Sequence, residues 1–267
     1  TTTTCAPSCD RRSPNLPTSG RSAALLAALL AAGCAGAAAR PRAATAPETP
    51  TAAVEAPPSP SDQLGRALAD LDASRYPVAE AALRALLDGP ERVRATLALG
   101  DLLLLTGRYE EAAELAARVP ESGADGLTAA ELRARALRAQ GQLDEALAVL
   151  ATRAKEPEAR RLRLLQGELL IERGERRAAE APLMTLIEDY NADRIRDDDG
   201  PGLTLVGRAA QLLRSPRDAN DAYNLAEQAS PHDPELLLAR AELFLDKYDP
   251  GHAEEVAREV LERAPNH

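Results

Sequence analysis

The residues of this sequence that could do chemistry are an acid run, three histidines and three cysteines. Asp197, Asp198 and Asp199 stand together in NADRIRDDDGPG (Asn191 to Gly202), a density of oxygen ligands that a calcium site would use. The ligand spacing of an EF-hand is absent, so residues 191–202 read as a solvated loop, with calcium as the sharper alternative; no metal is assigned. His252 opens HAEE rather than the HExxH of a zinc protease. His232-Asp233-Pro234 has the composition of a helix cap. There is no GxSxG and no Gly-rich phosphate loop with Lys. Carboxylates abound, at a frequency expected of solvated helix faces. No catalytic constellation emerges and no cofactor is implied, so the chain reads as non-enzymatic.

The cysteines point elsewhere. Arg11, Arg12 and Arg21 precede an unbroken run of small and apolar residues, Ser22 to Ala32. That run is shorter than the roughly 20 residues a bilayer requires, and it fits the apolar region of a signal peptide. It ends in Ala31-Ala32-Gly33-Cys34. This resembles the lipobox of bacterial lipoproteins, with Ala31 where that family prefers Leu. The resemblance implies that residues 1–33 are a signal peptide and that Cys34 is lipidated. It implies a cell-envelope location facing the periplasm, the outer membrane being favoured because Ala35 rather than Asp follows the cysteine. The membrane is then touched through the lipid anchor only. Cys5 and Cys9 fall upstream of the cleavage, which leaves no disulfide. Residues 34–60 are Ala, Pro and Thr with almost no large apolar side chain, so nothing offsets the entropy of ordering them. They read as a disordered linker, about 80 Å long in the polyproline limit.

Composition sets the class of the folded region. Apolar residues make up 45% of the chain but aromatics only 2%. Ala and Leu must therefore build the core, by close helix approach, and alternating β-branched runs are nearly absent. The expectation is all-α. A net charge of −10 disfavours nucleic acid, which needs a basic face.

From residue 61 the glycines keep time: Gly107 and Gly141 are 34 apart, and Gly174 follows after 33. Small residues recur around them: Gly100, Ala112 and Ala116 with Tyr109, then Ala134 and Ala146, then Gly167 and Ala179. This pattern resembles the tetratricopeptide repeat. Looser copies keep Gly207, Ala222 and Pro234, with about three extra residues near Ser215, and then Ala241, Ala253 and Pro265. The resemblance implies a right-handed superhelical solenoid of about six helix hairpins over 61–267. The hairpins fall at 61–92, 93–126, 127–159, 160–193, 203–234 and 235–267, with the loop 191–202 between the fourth and fifth. Gly100 and Ala112 should meet where the two helices of one hairpin cross, and Gly107 should take a left-handed turn.

The resemblance also implies where function lies. The first helices of such hairpins line a concave groove that takes a protein or peptide ligand. In this frame the groove carries Arg94, Asp101, Glu131, Arg135, Arg138, Glu168, Arg208, Gln211 and Glu242. No first helix has the Asn and Lys with which one subfamily grips a C-terminal carboxylate. Arginines crowd the middle repeats (Arg133, Arg153, Arg160, Arg161 and Arg163 besides those named) and acids the last one (Glu235, Asp246, Asp249), which implies a groove with two poles of charge. The expected role is a scaffold that assembles outer-membrane or secretion machinery. The alternative is the substrate-recruiting part of a larger envelope enzyme such as a peptidase. Ala264 to His267 resembles a seam between repeats, so self-association through an uncapped end is a further expectation.

Overall fold

The structure, a computed structural model, describes residues 58–263. The expected signal peptide and linker through residue 57, Cys34 among them, and Pro265 lie outside the described residues. Among the described residues there are twelve α-helices and no strand, as the lack of β-branched alternation predicts. They are α1 (Pro60–Asp72), α2 (Tyr76–Ala85), α3 (Arg92–Leu105), α4 (Tyr109–Ala116), α5 (Gly123–Ala139), α6 (Leu143–Arg153), α7 (Arg160–Glu172), α8 (Arg176–Asn191), α9 (Gly200–Leu212), α10 (Pro216–Ala229), α11 (Pro234–Asp246) and α12 (Pro250–Arg263). None is long and apolar enough to cross a membrane.

The helices pair in chain order. Each odd-numbered helix packs on its even-numbered successor and on the next odd-numbered helix, and each even-numbered helix also packs on the odd-numbered helix that follows it. Even-numbered helices lie further from one another, α2 and α4 meeting through the Arg84–Glu111 ion pair. The result is a solenoid whose odd helices form one continuous layer. Its core is mostly Leu and Ala: Leu83, Leu99, Leu102, Leu150, Leu169, Leu183 and Leu186 are fully buried, with Ala67, Ala79, Ala112, Ala134, Ala146 and Ala209 between them.

Small residues seat the helices, though not always where expected. A Cβ at Gly100 would lie 2.2 Å from Leu132 of α5. Gly100 therefore admits the next hairpin, a contact that the repeat frame does not assign to it. Gly167 and Gly207 do perform the within-hairpin role: added Cβ atoms there would stand 2.6 Å from Leu183 and 2.3 Å from Tyr223.

The turn that closes each hairpin puts one residue at positive φ: Ser74 (57°), Gly107 (78°), Gly141 (77°), Gly174 (88°), Arg214 (65°) and Tyr248 (58°). Each stands seven residues after a small buried one (Ala67, Gly100, Ala134, Gly167, Gly207, Ala241). The fifth hairpin therefore has no extra residues near Ser215. Its counterpart of Ala112 is Ala219, fully buried, rather than Ala222. Arg214 hides the register because it fills a glycine's position.

Three boundaries shift. Gly200-Pro201-Gly202 starts α9 instead of ending the loop. Asp199 accepts a hydrogen bond from the Gly202 amide at 2.9 Å, and Pro201 falls in the first turn, where a missing N–H costs nothing. A Cβ on Gly200 would strike Ser230 at 2.2 Å. The connection is thus 192–199, and Ile195, 1% exposed, nails it to the core. The array begins at Pro60 rather than residue 61, capped by a Ser59–Asp62 capping box. Finally, α5 begins at Gly123, four residues ahead of the expected hairpin start at 127.

Candidate functional site

The layer of odd helices presents a cavity of about 580 Å³ walled by α5, α7, α9 and α11. Glu131, Arg135 and Arg138 enter it from α5, Glu168 from α7, Arg208 from α9 and Glu242 from α11, as the sequence predicts. Arg94, Asp101 and Gln211 do not line it. Arg94 pairs with Glu91 at 3.3 Å. Asp101 lies one helix further out, 3.5 Å from Arg135. Gln211 donates to Asp246 at 2.6 Å and accepts from the Tyr223 hydroxyl at 3.1 Å.

Asp101, Arg135, Glu168, Arg208 and Glu242 each follow the small buried residue of their helix, so they occupy one equivalent position in five successive hairpins. Their charges alternate in sign. Arg208 donates to Glu168 at 3.0 Å and to Glu242 at 2.8 Å. Glu168 also accepts from Arg138 at 2.9 Å, and Arg138 forks onto Glu172. On the other side of the cavity Arg161 of α7 donates to Glu235 of α11 with both guanidinium nitrogens and lies 3.6 Å from Glu131 of α5. That contact is a chord across the groove that skips α9.

Burial works against the charge of Arg208, yet Glu168 and Glu242 outweigh it and hold its pKa above the ordinary value. Burial likewise opposes the charge of Arg161, and Glu235 and Glu131 outweigh it. The carboxyls of Glu131 and Asp101 are pushed up by burial, against the pull of Arg161 and Arg135. The two separated poles of charge that the composition implies are not present. Both signs interleave around the cavity: Arg161 of the fourth hairpin pairs with Glu235 of the sixth, Arg208 of the fifth with Glu168 and Glu242, and Arg138 of the third with Glu168 and Glu172. Between the pairs runs an apolar floor of Leu164, Leu165 and Leu205, with Leu238 standing 39% exposed.

Among the described residues, the acid run, Arg163 and two histidines are engaged in caps and pairs. Asp199 caps α9 and pairs with Arg160 at 2.8 Å, Asp198 pairs with Arg196 at 3.1 Å, and Asp197 accepts from Tyr190. Arg163 turns away from the groove and is buried against Asp189 at 3.3 Å, with one donor bond to the Pro157 carbonyl. Asp233 caps α11, as its sequence context predicts, and His232 pairs with Glu259. His252 pairs with Asp249 at 2.7 Å.

Residues 64–126 and 131–189 match the family model of the tetratricopeptide repeat. The fold is similar to that of a thermophilic repeat protein from Thermus thermophilus, at 23% identity, over 70% of this chain and all of that one, with a TM-score of 0.51. The described residues fold like an array of tetratricopeptide repeats. Lesser similarity extends to Pseudomonas aeruginosa pilF (16% identity, 78% of this chain and 93% of that one, TM-score 0.46). It extends also to a tetratricopeptide repeat protein from Parabacteroides merdae ATCC 43184 (19%, 77% and 80%, TM-score 0.43). No curated protein matches the sequence.

In repeat terms, sequence reasoning found one row of the groove and missed another. Arg161 lies two turns before Glu168 on α7, and Glu235 two turns before Glu242 on α11. Both reach the cavity because the array curves, which no single repeat encodes. The leucine floor was legible in principle: Leu164 and Leu165 flank the same helical face as Arg161 and Glu168.

Proposed function

We propose that this protein is a non-enzymatic, lipid-anchored repeat scaffold of the bacterial cell envelope, which holds a peptide segment of another protein in the groove between α5 and α11. The observation that carries the reading is the leucine floor, with Leu238 exposed, between walls whose charges are already paired. Such a wall gives little reward to a ligand for charge alone, so selection falls to apolar side chains that fit the floor, with backbone polar groups available to the wall arginines and glutamates. The anchor rests on the sequence ending in Cys34. A tethered scaffold of this kind suits assembly of outer-membrane or secretion machinery, where one component must be held while another arrives.

Selection of a displayed random peptide library on the full chain tests the groove. Wild type should enrich peptides with a leucine-like anchor, and Leu238→Arg should lose them while keeping its helical circular dichroism. Equal enrichment by both proteins would end the groove reading. Labelling of cells with a clickable fatty acid tests the anchor: label on wild type and none on Cys34→Ala is expected, and label on both would remove the anchor.

A further inference from the structure

The even-numbered helices carry a second surface. In the first half of the array they are short, with 10, 8 and 11 residues in α2, α4 and α6. In the second half α8 and α10 have 16 and 14. An open slot of about 490 Å³ lies between these two. Val206 and Ala210 of α9 and Leu213 just past its end form its floor, a face of that helix turned away from Leu205 and Arg208. Ile187 and Leu225 form its walls, half-buried, and Met184 is 42% exposed at its edge.

Charge marks one side of this slot. Asp218 and Asp221 of α10 are exposed along the rim. Asp221 makes no hydrogen bond or ion pair among the described residues, and no Lys or Arg lines the slot. The corresponding gap between α4 and α6 differs on both counts: it is about 240 Å³ and is lined by Arg133 and Arg153.

We propose that the α8–α10 slot docks one amphipathic helix of a partner protein, its apolar stripe seated on α9 and its Lys or Arg residues beside Asp218 and Asp221. The floor from Val206 to Leu213 is about 10 Å long at 1.5 Å per residue, which is two turns of a helix. A two-walled channel with an apolar floor is the shape that a helix with leucines at i, i+3, i+4 and i+7 fills. The acid rim and a net charge of −10 favour a basic helix, in encounter and in register. This surface is separate from the concave groove, so one array would hold two different segments.

The probe is a fluorescein-labelled amidated peptide of about 14 residues with leucines in that spacing and lysines elsewhere; a second has glutamates in place of the lysines. Each is titrated with the full chain by fluorescence anisotropy. The lysine peptide should bind and the glutamate peptide should not. Ile187→Glu and Leu225→Glu should each weaken binding about tenfold or more. Asp221→Lys should weaken it several-fold and flatten its salt dependence. Leu238→Arg, in the other groove, should leave it unchanged. The proposal falls if wild type does not bind the lysine peptide, if both peptides bind alike, if natively folded Ile187→Glu binds as wild type does, or if Leu238→Arg abolishes binding. It falls also if light scattering shows that wild type self-associates and Ile187→Glu does not, since the occupant would then be a second copy.

Discussion

At the scale of single residues, Gly207 and Tyr223 form a close seat within the fifth hairpin. Tyr223 is fully buried, and a Cβ on Gly207 would lie 2.3 Å from its ring. Gly207→Ala should destabilise the protein by about 1–3 kcal/mol, read as a lower urea midpoint. Tyr248 offers the opposite case. Its side chain is 94% exposed, so it packs on little, while its backbone holds φ of 58°. A non-glycine residue there is strained by about 1–2 kcal/mol, partly offset by the chain entropy that glycine loses. Tyr248→Gly should therefore stabilise by about 0.5–1 kcal/mol, seen as a higher thermal midpoint. Glu131 gives a pH dependence. Burial raises its folded pKa above the ordinary 4.5, so the folded protein binds this proton more tightly than the unfolded chain does. The stabilisation this provides is complete below the unfolded pKa and is lost as pH rises through the raised folded value. Glu131→Gln should remove that decline, so its gain over wild type should grow from acid pH toward pH 7 in a series of denaturant melts.

At the scale of elements, the alternating row Asp101, Arg135, Glu168, Arg208, Glu242 joins α3 to α5 and α7 to α9 and α11, with Arg138 supplying the α5–α7 link. Arg208 is the element most exposed to a reversal, because it serves α7 and α11 together. Arg208→Glu should destabilise the array, and adding Glu242→Arg should restore part of the loss. The coupling should be about 1 kcal/mol for these partly exposed groups and should shrink with added salt. The hairpins themselves are legible in the sequence where glycine fills the turn, as at Gly107, Gly141 and Gly174. They are misread where another residue accepts the same backbone: Arg214 conceals the fifth register and so substitutes Ala222 for Ala219. Gly200-Pro201-Gly202 misleads for a related reason. Residues that stop a helix from within also start one, and only the Asp199 cap and the Ser230 contact decide between the two.

At the scale of the whole molecule, the helices of each repeat pack only on those of adjacent repeats, the Arg161–Glu235 ion pair being a longer link, so stability is largely a sum of local terms and need not be lost everywhere at once. Hydrogen exchange on Gly207→Ala should show faster amide exchange across α9–α12, while α1–α6 keep their protection; uniform acceleration would mean a single cooperative unit. The groove was partly legible because Arg135, Glu168, Arg208 and Glu242 follow from periodicity. The Arg161–Glu235 chord, 74 residues apart in sequence, follows from curvature, a sum over many small rotations that no pattern in one repeat records. The alternating signs also impose a parity on the array. Excising residues 142–174 would set Arg135 against Arg208, like against like, whereas excising 142–214 would set it against Glu242. Removing one unit thus brings two like charges to neighbouring positions of this row, and removing two does not.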